Sequence, residues 1–110
     1  MFDYMIKELS ATEIKKLIDK SVELILLDVR SDEEFRESHI DKAINHDIEY
    51  LDKSIDKILA DKNAKIIVYC RSGHRSEIAT EMMTEWGYTD VINMTGGLID
   101  WVEKKYKVVK

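Results

Sequence analysis

The chain of 110 residues contains no proline, a single cysteine and only four glycines. Without proline its turns fall to glycine, asparagine and aspartate. One cysteine excludes an internal disulfide framework and fits a reducing cytoplasm. No apolar run approaches the ~18 residues of a membrane span, so no membrane partner is expected. Residues 1–7 lack the basic segment followed by a long apolar one that marks a signal peptide. Positive charge is also short: the formal net charge is −5 and the pI about 5.2, which argues against nucleic acid as a main partner.

What is present is a mixture that folds. Apolar residues make up 45% and charged residues 35%, the proportions of a globular protein rather than a disordered one. The length suits one domain, residues 1–110. Tyr4 to Leu9 can form a short edge strand. Ser10 and Glu13 read as a capping box, and Ile14, Leu17 and Ile18 mark one face of the following helix. Leu24 to Leu27 form a buried strand ending in Asp28-Val29-Arg30. Ser31 and Glu34 repeat the capping box before a short helix, and Ala43-Ile44 read as a brief third strand. Ile48, Leu51, Ile55, Ile58 and Leu59 keep helical spacing up to the turn at Asp61-Lys62-Asn63. Val91, Ile92 and Met94 make a last strand. Thr95-Gly96-Gly97 then turn into a helix carrying Leu98, Trp101 and Val102. No repeat or linker interrupts this alternation, which predicts a parallel sheet covered on both faces.

The informative stretch is Ile66 to Ser76. Ile66, Ile67, Val68 and Tyr69 read as a strand buried on both faces. Cys70-Arg71-Ser72-Gly73-His74-Arg75 cannot continue it, and from Ser76 the spacing of Ile78, Ala79, Met82, Met83 and Trp86 is helical, with Gly87 as the C-cap. The only cysteine therefore sits where a buried strand turns into a helix, the edge at which open α/β sheets bind ligands. Backbone amides of such a loop, and the helix start beyond it, favour a negative charge. Two of the chain's four arginines, Arg71 and Arg75, lie in this loop, with no acid in sequence until Glu77. A cationic setting of this kind lowers a cysteine pKa and makes the thiolate a nucleophile; inert cysteines usually lie in apolar surroundings. Arg71 and Arg75 suit an anionic substrate, Ser72 and Ser76 supply hydroxyls, and Gly73 permits the turn.

This segment resembles the rhodanese family of sulfurtransferases, in which a cysteine heads a six-residue active-site loop. Cys-dependent phosphatases and arsenate reductases need the longer C-x5-R loop; here the arginine comes one position earlier, at Arg75. Leu26 to Arg30, Glu34-Phe35, His39-Ile40 and Ala43-Ile44-Asn45 resemble the family's amino-terminal signature. Gly96-Gly97 with Trp101 resembles its carboxy-terminal one. Ser38 and Lys42 depart from it where glycines are usual, as does Asp47 near a customary proline. The resemblance implies a three-layer α/β/α fold with a five-stranded, mostly parallel sheet. It also implies a catalytic Cys70 that carries a persulfide, with Arg71, Ser72, Gly73, His74, Arg75 and Ser76 binding substrate. The donor would be thiosulfate, a polysulfide or a protein persulfide, the acceptor cyanide, a small thiol or a protein cysteine, with no cofactor.

Asp28 and Arg30 end a strand expected beside the Cys70 strand, where they either brace the loop or form an ordinary ion pair. His39, His46 and His74 are too scattered to make a zinc site with Cys70, and no metal is expected. Met82, Met83 and Trp86 read as core, and Lys104, Lys105 and Lys107 as a solvated basic helix end. Two other classes fit the chain: a non-catalytic rhodanese-like binding or regulatory module, for which an intact loop is superfluous, and a thiol redox sensor, which would need a partner thiol.

Overall fold

The computed structural model describes residues 5–110, apart from the side chains of Lys53 and Ser54. Five strands, β1 (Lys7–Ser10), β2 (Ile25–Asp28), β3 (Ile44–Asn45), β4 (Ile66–Tyr69) and β5 (Val91–Thr95), form one sheet in the order β1-β5-β4-β2-β3. All four pairings are parallel. The helices are α1 (Ala11–Asp19), α2 (Asp32–Glu37), α3 (His74–Glu85) and α4 (Gly97–Glu103).

Alternation along β4 divides the core. Ile66 and Val68 join Leu27, Ile55, Ala79 and Met83 on the α3 side, whereas Ile67 and Tyr69 join Ile14, Met94, Leu98 and Trp101 on the side of α1 and α4. A strand buried on both faces needs no polar residue, which is why Ile66 to Tyr69 is uniformly apolar. Capping boxes open α1 and α2 as the sequence suggests. The Ser10 side chain accepts from the Glu13 amide at 3.1 Å, and that of Ser31 from the Glu34 amide at 3.1 Å.

Some expectations change. The edge strand begins at Lys7 and runs to Ser10, while Tyr4 lies outside the described residues. The spacing over 48–59 does not produce one helix. Two 3-10 turns, Ile48–Tyr50 and Lys53–Lys57, are separated by extended backbone at Leu51, and Ile58 is 53% exposed. Asp47 accepts from the Glu49 amide at 2.9 Å and so starts a short turn locally. Leu51, Ile55 and Leu59 still reach the core. Helix α3 begins at His74, two residues before the predicted Ser76, and its buried face is Ser76, Ala79, Thr80 and Met83. Ile78 is 40% exposed, while Met82 and Trp86 are only partly buried. The buried hydroxyl of Thr80 donates to the Ser76 carbonyl at 2.7 Å, which lets a polar residue occupy the sheet-facing side.

Candidate active site

Strand β4 delivers Cys70 to the carboxyl edge of the sheet, where only 1% of the residue is exposed. Two features turn the loop so that its amides face the sulfur. Gly73 has φ of +105° and its N–H donates to Cys70 Sγ at 3.1 Å. The first turn of α3 adds the Ser76 N–H at 3.4 Å, with the Ser76 hydroxyl also 3.4 Å away. The loop's carbonyls are drawn to the opposite side, where Leu98 N–H donates to the Cys70 carbonyl at 2.9 Å and Ile99 N–H to that of Arg71 at 3.0 Å. Gly97 makes this approach possible. A Cβ there would lie 2.5 Å from the Arg71 carbonyl carbon and oxygen, at φ of +58°.

Burial pushes the Cys70 thiol up. The amides of Ser76, Gly73 and Ser72, joined by the Ser76 hydroxyl when its proton turns to the sulfur, pull it further down, so it lies below its ordinary value. Hydrogen bonds, which the sequence offered through the loop amides, thus carry the effect, and arginine charge does not. Arg75 cannot act as a bare cation, because its guanidinium is bidentate on Glu34, at 2.8 Å to Oε1 and 3.0 Å to Oε2. Arg75 holds the Glu34 carboxyl down at about 2, against burial and with help from Ser31. Among the described residues no acid pairs with Arg71, which is exposed, as are Ser72 and His74. Ser76 is fully buried beneath the sulfur.

Asp28 and Arg30 do lie on the neighbouring strand, with Asp28 in register with Tyr69. Their pair is buried, with Arg30 Nη2 2.7 Å from Asp28 Oδ2 and 2.6 Å from the Ser38 carbonyl. Neither side chain bonds the loop directly. Arg30 instead packs over the Tyr69 ring at 5.8 Å, one residue before Cys70, and the Tyr69 hydroxyl accepts from the Ile40 amide at 3.1 Å. Of the histidines, His39 donates from Nδ1 to the Phe35 carbonyl at 2.7 Å and stacks on the Phe35 ring. Among the described residues no three His, Cys, Asp or Glu side chains form a metal-binding group.

A cleft of about 360 Å³ opens beside the loop, between Arg71, Arg30, Glu34, Leu98 and Val102. A larger groove of about 590 Å³ lies against Leu24, Ile25, Ile40 and Trp101 and contains no loop residue. Leu24 and Ile25 stand at the start of β2, the end of a parallel sheet where ligands do not usually bind. Glu34, Gly97 and Leu98 were missed as site residues. Only the consecutive glycines signalled a close backbone approach, and nothing local pairs Glu34 with Arg75, 41 residues away.

A buried thiol cradled by amides at the carboxyl edge of an open parallel sheet defines an α/β domain whose chemistry centres on one sulfur. The chain belongs to the rhodanese-like domain family, which matches residues 10–104. It is 38% identical over 81 residues to thiosulfate sulfurtransferase PspE of Escherichia coli, covering 74% of this chain and 77% of that protein. YrkF of Bacillus subtilis is 33% identical over 99 residues, covering 90% of this chain; the chain spans about half that relative's length, 52%. The solution structure of a rhodanese-like domain from Anabaena superposes with a TM-score of 0.87 at 24% identity, covering 96% of this chain and 80% of that one, and shows the same fold. Kinship with named sulfurtransferases supports sulfur transfer as the general activity. Among the described residues no helix is long and apolar enough to cross a membrane.

Proposed function

We propose that this protein moves sulfane sulfur through a persulfide on Cys70. The Cys70 thiolate attacks the outer sulfur of thiosulfate, the S–S bond breaks, and sulfite leaves with the bonding electron pair. A thiophilic acceptor (cyanide, a small thiol or a protein cysteine) then attacks the terminal sulfur and restores the thiolate. Each half-reaction exchanges one bond to sulfur for another, so no external oxidant or cofactor is needed, and ping-pong kinetics follow. A polysulfide or a protein persulfide can replace thiosulfate on the same terms.

The observation that carries this reading is the convergence of the Gly73 and Ser76 amides on one sulfur, an arrangement that stabilises negative charge there without a metal or a second thiol. Exposed Arg71 is the loop group best placed for an anionic donor, and Arg75 reaches one only by leaving Glu34. In this reading Asp28 and Arg30 support the loop through Tyr69. A free lone thiol suits a reducing compartment such as the cytoplasm. The test is the intact mass after incubation with thiosulfate. A gain of one sulfur atom, removed by cyanide with formation of thiocyanate and absent in Cys70→Ser, is expected. An unchanged mass in folded wild-type protein, with every available donor class, would leave a binding module or a thiol sensor in its place.

A further inference from the structure

Behind Cys70 runs a polar chain that sulfur chemistry alone does not require. Asn93, on β5, is 2% exposed and sits between Ser76 and Glu8 of the neighbouring strand β1. Its Oδ1 lies 2.6 Å from the Ser76 hydroxyl oxygen. Its Nδ2 donates to Glu8 Oε2 at 3.3 Å and more weakly to the Gly73 carbonyl at 3.5 Å. Reversing the amide would set Oδ1 against a carboxylate and a carbonyl, three oxygens with no hydrogen among them. Glu8 and Gly73 therefore fix Oδ1 toward Ser76.

The Ser76 hydroxyl has one proton and three acceptors around it: Asn93 Oδ1 at 2.6 Å, the Gly73 carbonyl at 3.2 Å and Cys70 Sγ at 3.4 Å. On the shortest line it goes to Asn93, and Ser76 then shows the sulfur a lone pair. That arrangement suits a protonated Cys70, whose S–H can donate to the Ser76 oxygen. It opposes a thiolate, which needs the hydroxyl to turn and leave a buried amide oxygen unpaired. We propose that Asn93, oriented by Glu8, is a positioning residue that decides where the Ser76 proton points and so which protonation state Cys70 favours. Once sulfur is loaded, the charge sits one atom further out, and Ser76 can return to Asn93. Asn93 thus favours the loaded enzyme over the free thiolate. This rests on Cys70 being the reacting sulfur, but its test reads the thiol itself.

Among the described residues, the charged and titratable groups on the elements packed around Cys70 include Arg71 and His74 of the loop and helix start, Arg75 of α3 with its Glu34 partner on α2, Asp47 near Arg75, and Glu8 on β1. The Asn93 and Ser76 variants change none of these. The experiment is the pH dependence of thiolate absorbance and of alkylation in wild type, Asn93→Leu, Ser76→Ala and the double variant. Asn93→Leu frees the hydroxyl to serve the sulfur, and the midpoint should fall by roughly half to one pH unit, about three- to tenfold in thiolate. In the Ser76→Ala background the same change should leave the midpoint where it is. No fall, or a fall that persists without Ser76, overturns the proposal.

Should Asn93→Leu not fold, exposed Glu8 gives the second comparison. Glu8→Gln and Glu8→Leu both remove the charge, but only Gln keeps an acceptor for Nδ2. Glu8→Leu should therefore show the lower midpoint, and equal midpoints would refute the orienting role. A wild type that never takes up sulfur would sink the transfer reaction while leaving these titrations intact.

Discussion

Glu34→Gln separates the two tasks of one carboxylate. Glu34 completes the capping box of α2 through the Ser31 amide at 3.2 Å, and it clasps Arg75 with two further bonds. Glutamine can keep the capping box but cannot hold a guanidinium in a bidentate ion pair. The pair is about one-third exposed, at 35% and 32% for the two side chains, so solvent screening limits its loss to about 1 kcal/mol. Such a loss lowers Tm by roughly 4–8 °C in a domain near this size. The folded-state carboxyl is depressed, so its stabilisation is present above the unfolded pKa and disappears as pH falls through the folded one. The stability gap between wild type and variant should hold constant near neutrality and close between pH 4.5 and about 2. Function should move the other way. A released Arg75 can bond an anionic donor and sit as an unpaired cation beside Cys70. KM for thiosulfate should then fall several-fold, an uncharged donor should be unaffected, and the alkylation midpoint of Cys70 should drop. Steady-state kinetics with both donors and thermal melts across pH decide it. A lower Tm with unchanged KM and alkylation would mean that Arg75 only ties α3 to α2.

Gly97→Ala places a methyl group 2.5 Å from the Arg71 carbonyl, on backbone that cannot move aside cheaply, so the loop must shift. Sulfur transfer should fall on the order of a hundredfold with the circular dichroism retained, and wild-type kcat/KM would refute the clamp. Asp28→Ala leaves Arg30 buried without its anion, at a cost of roughly 3–5 kcal/mol in urea unfolding. If the pair supports the loop through Tyr69, transfer by the folded variant should fall as well, and unchanged kinetics would make it an ordinary ion pair. Arg71→Ala should raise KM for thiosulfate about tenfold and spare an uncharged donor, whereas Arg36→Ala, exposed on α2 beside Asp32, is the control that should do neither.

The thiol corner was legible because its signals are local. A run of four β-branched and aromatic residues reads as a buried strand, and glycine, serine and arginine ahead of a helical spacing mark its end. The parallel sheet followed from alternation, and the capping boxes from residues three apart. What the sequence concealed depends on long-range placement. Asn93 lies inside Val91-Ile92-Asn93-Met94 and looks like a blemish in a core strand until the fold sets it behind Ser76. Glu34 looked like a cap and nothing more. Ile78 and Met82 suggested the buried face of α3, yet the helix lies so close to the loop that Ser76 and Thr80 take the inner positions and bond to each other. The loop pointed to a low thiol pKa through its amides and its arginines together, and the structure assigns the effect to the amides and the Ser76 hydroxyl, since the pairing of Arg75 with Glu34 cannot be read from residue identity.

The strand order also sets a sequence of events during synthesis. β5 lies between β1 and β4, with Lys7 opposite Ile92, so the first strand to be made waits for the last before it can pair. β2, β3 and β4 can associate earlier, and Cys70 is then already present at the end of β4. The groups that turn its carbonyls away, Leu98 and Ile99, have not yet been added, nor has Asn93. Until they arrive the loop lacks the contacts that draw its carbonyls away, although the amides of Gly73 and Ser76 are already in the chain. With no prolyl isomerisation to wait for, the chain completes the cradle of its sulfur as the final strand and helix close the sheet.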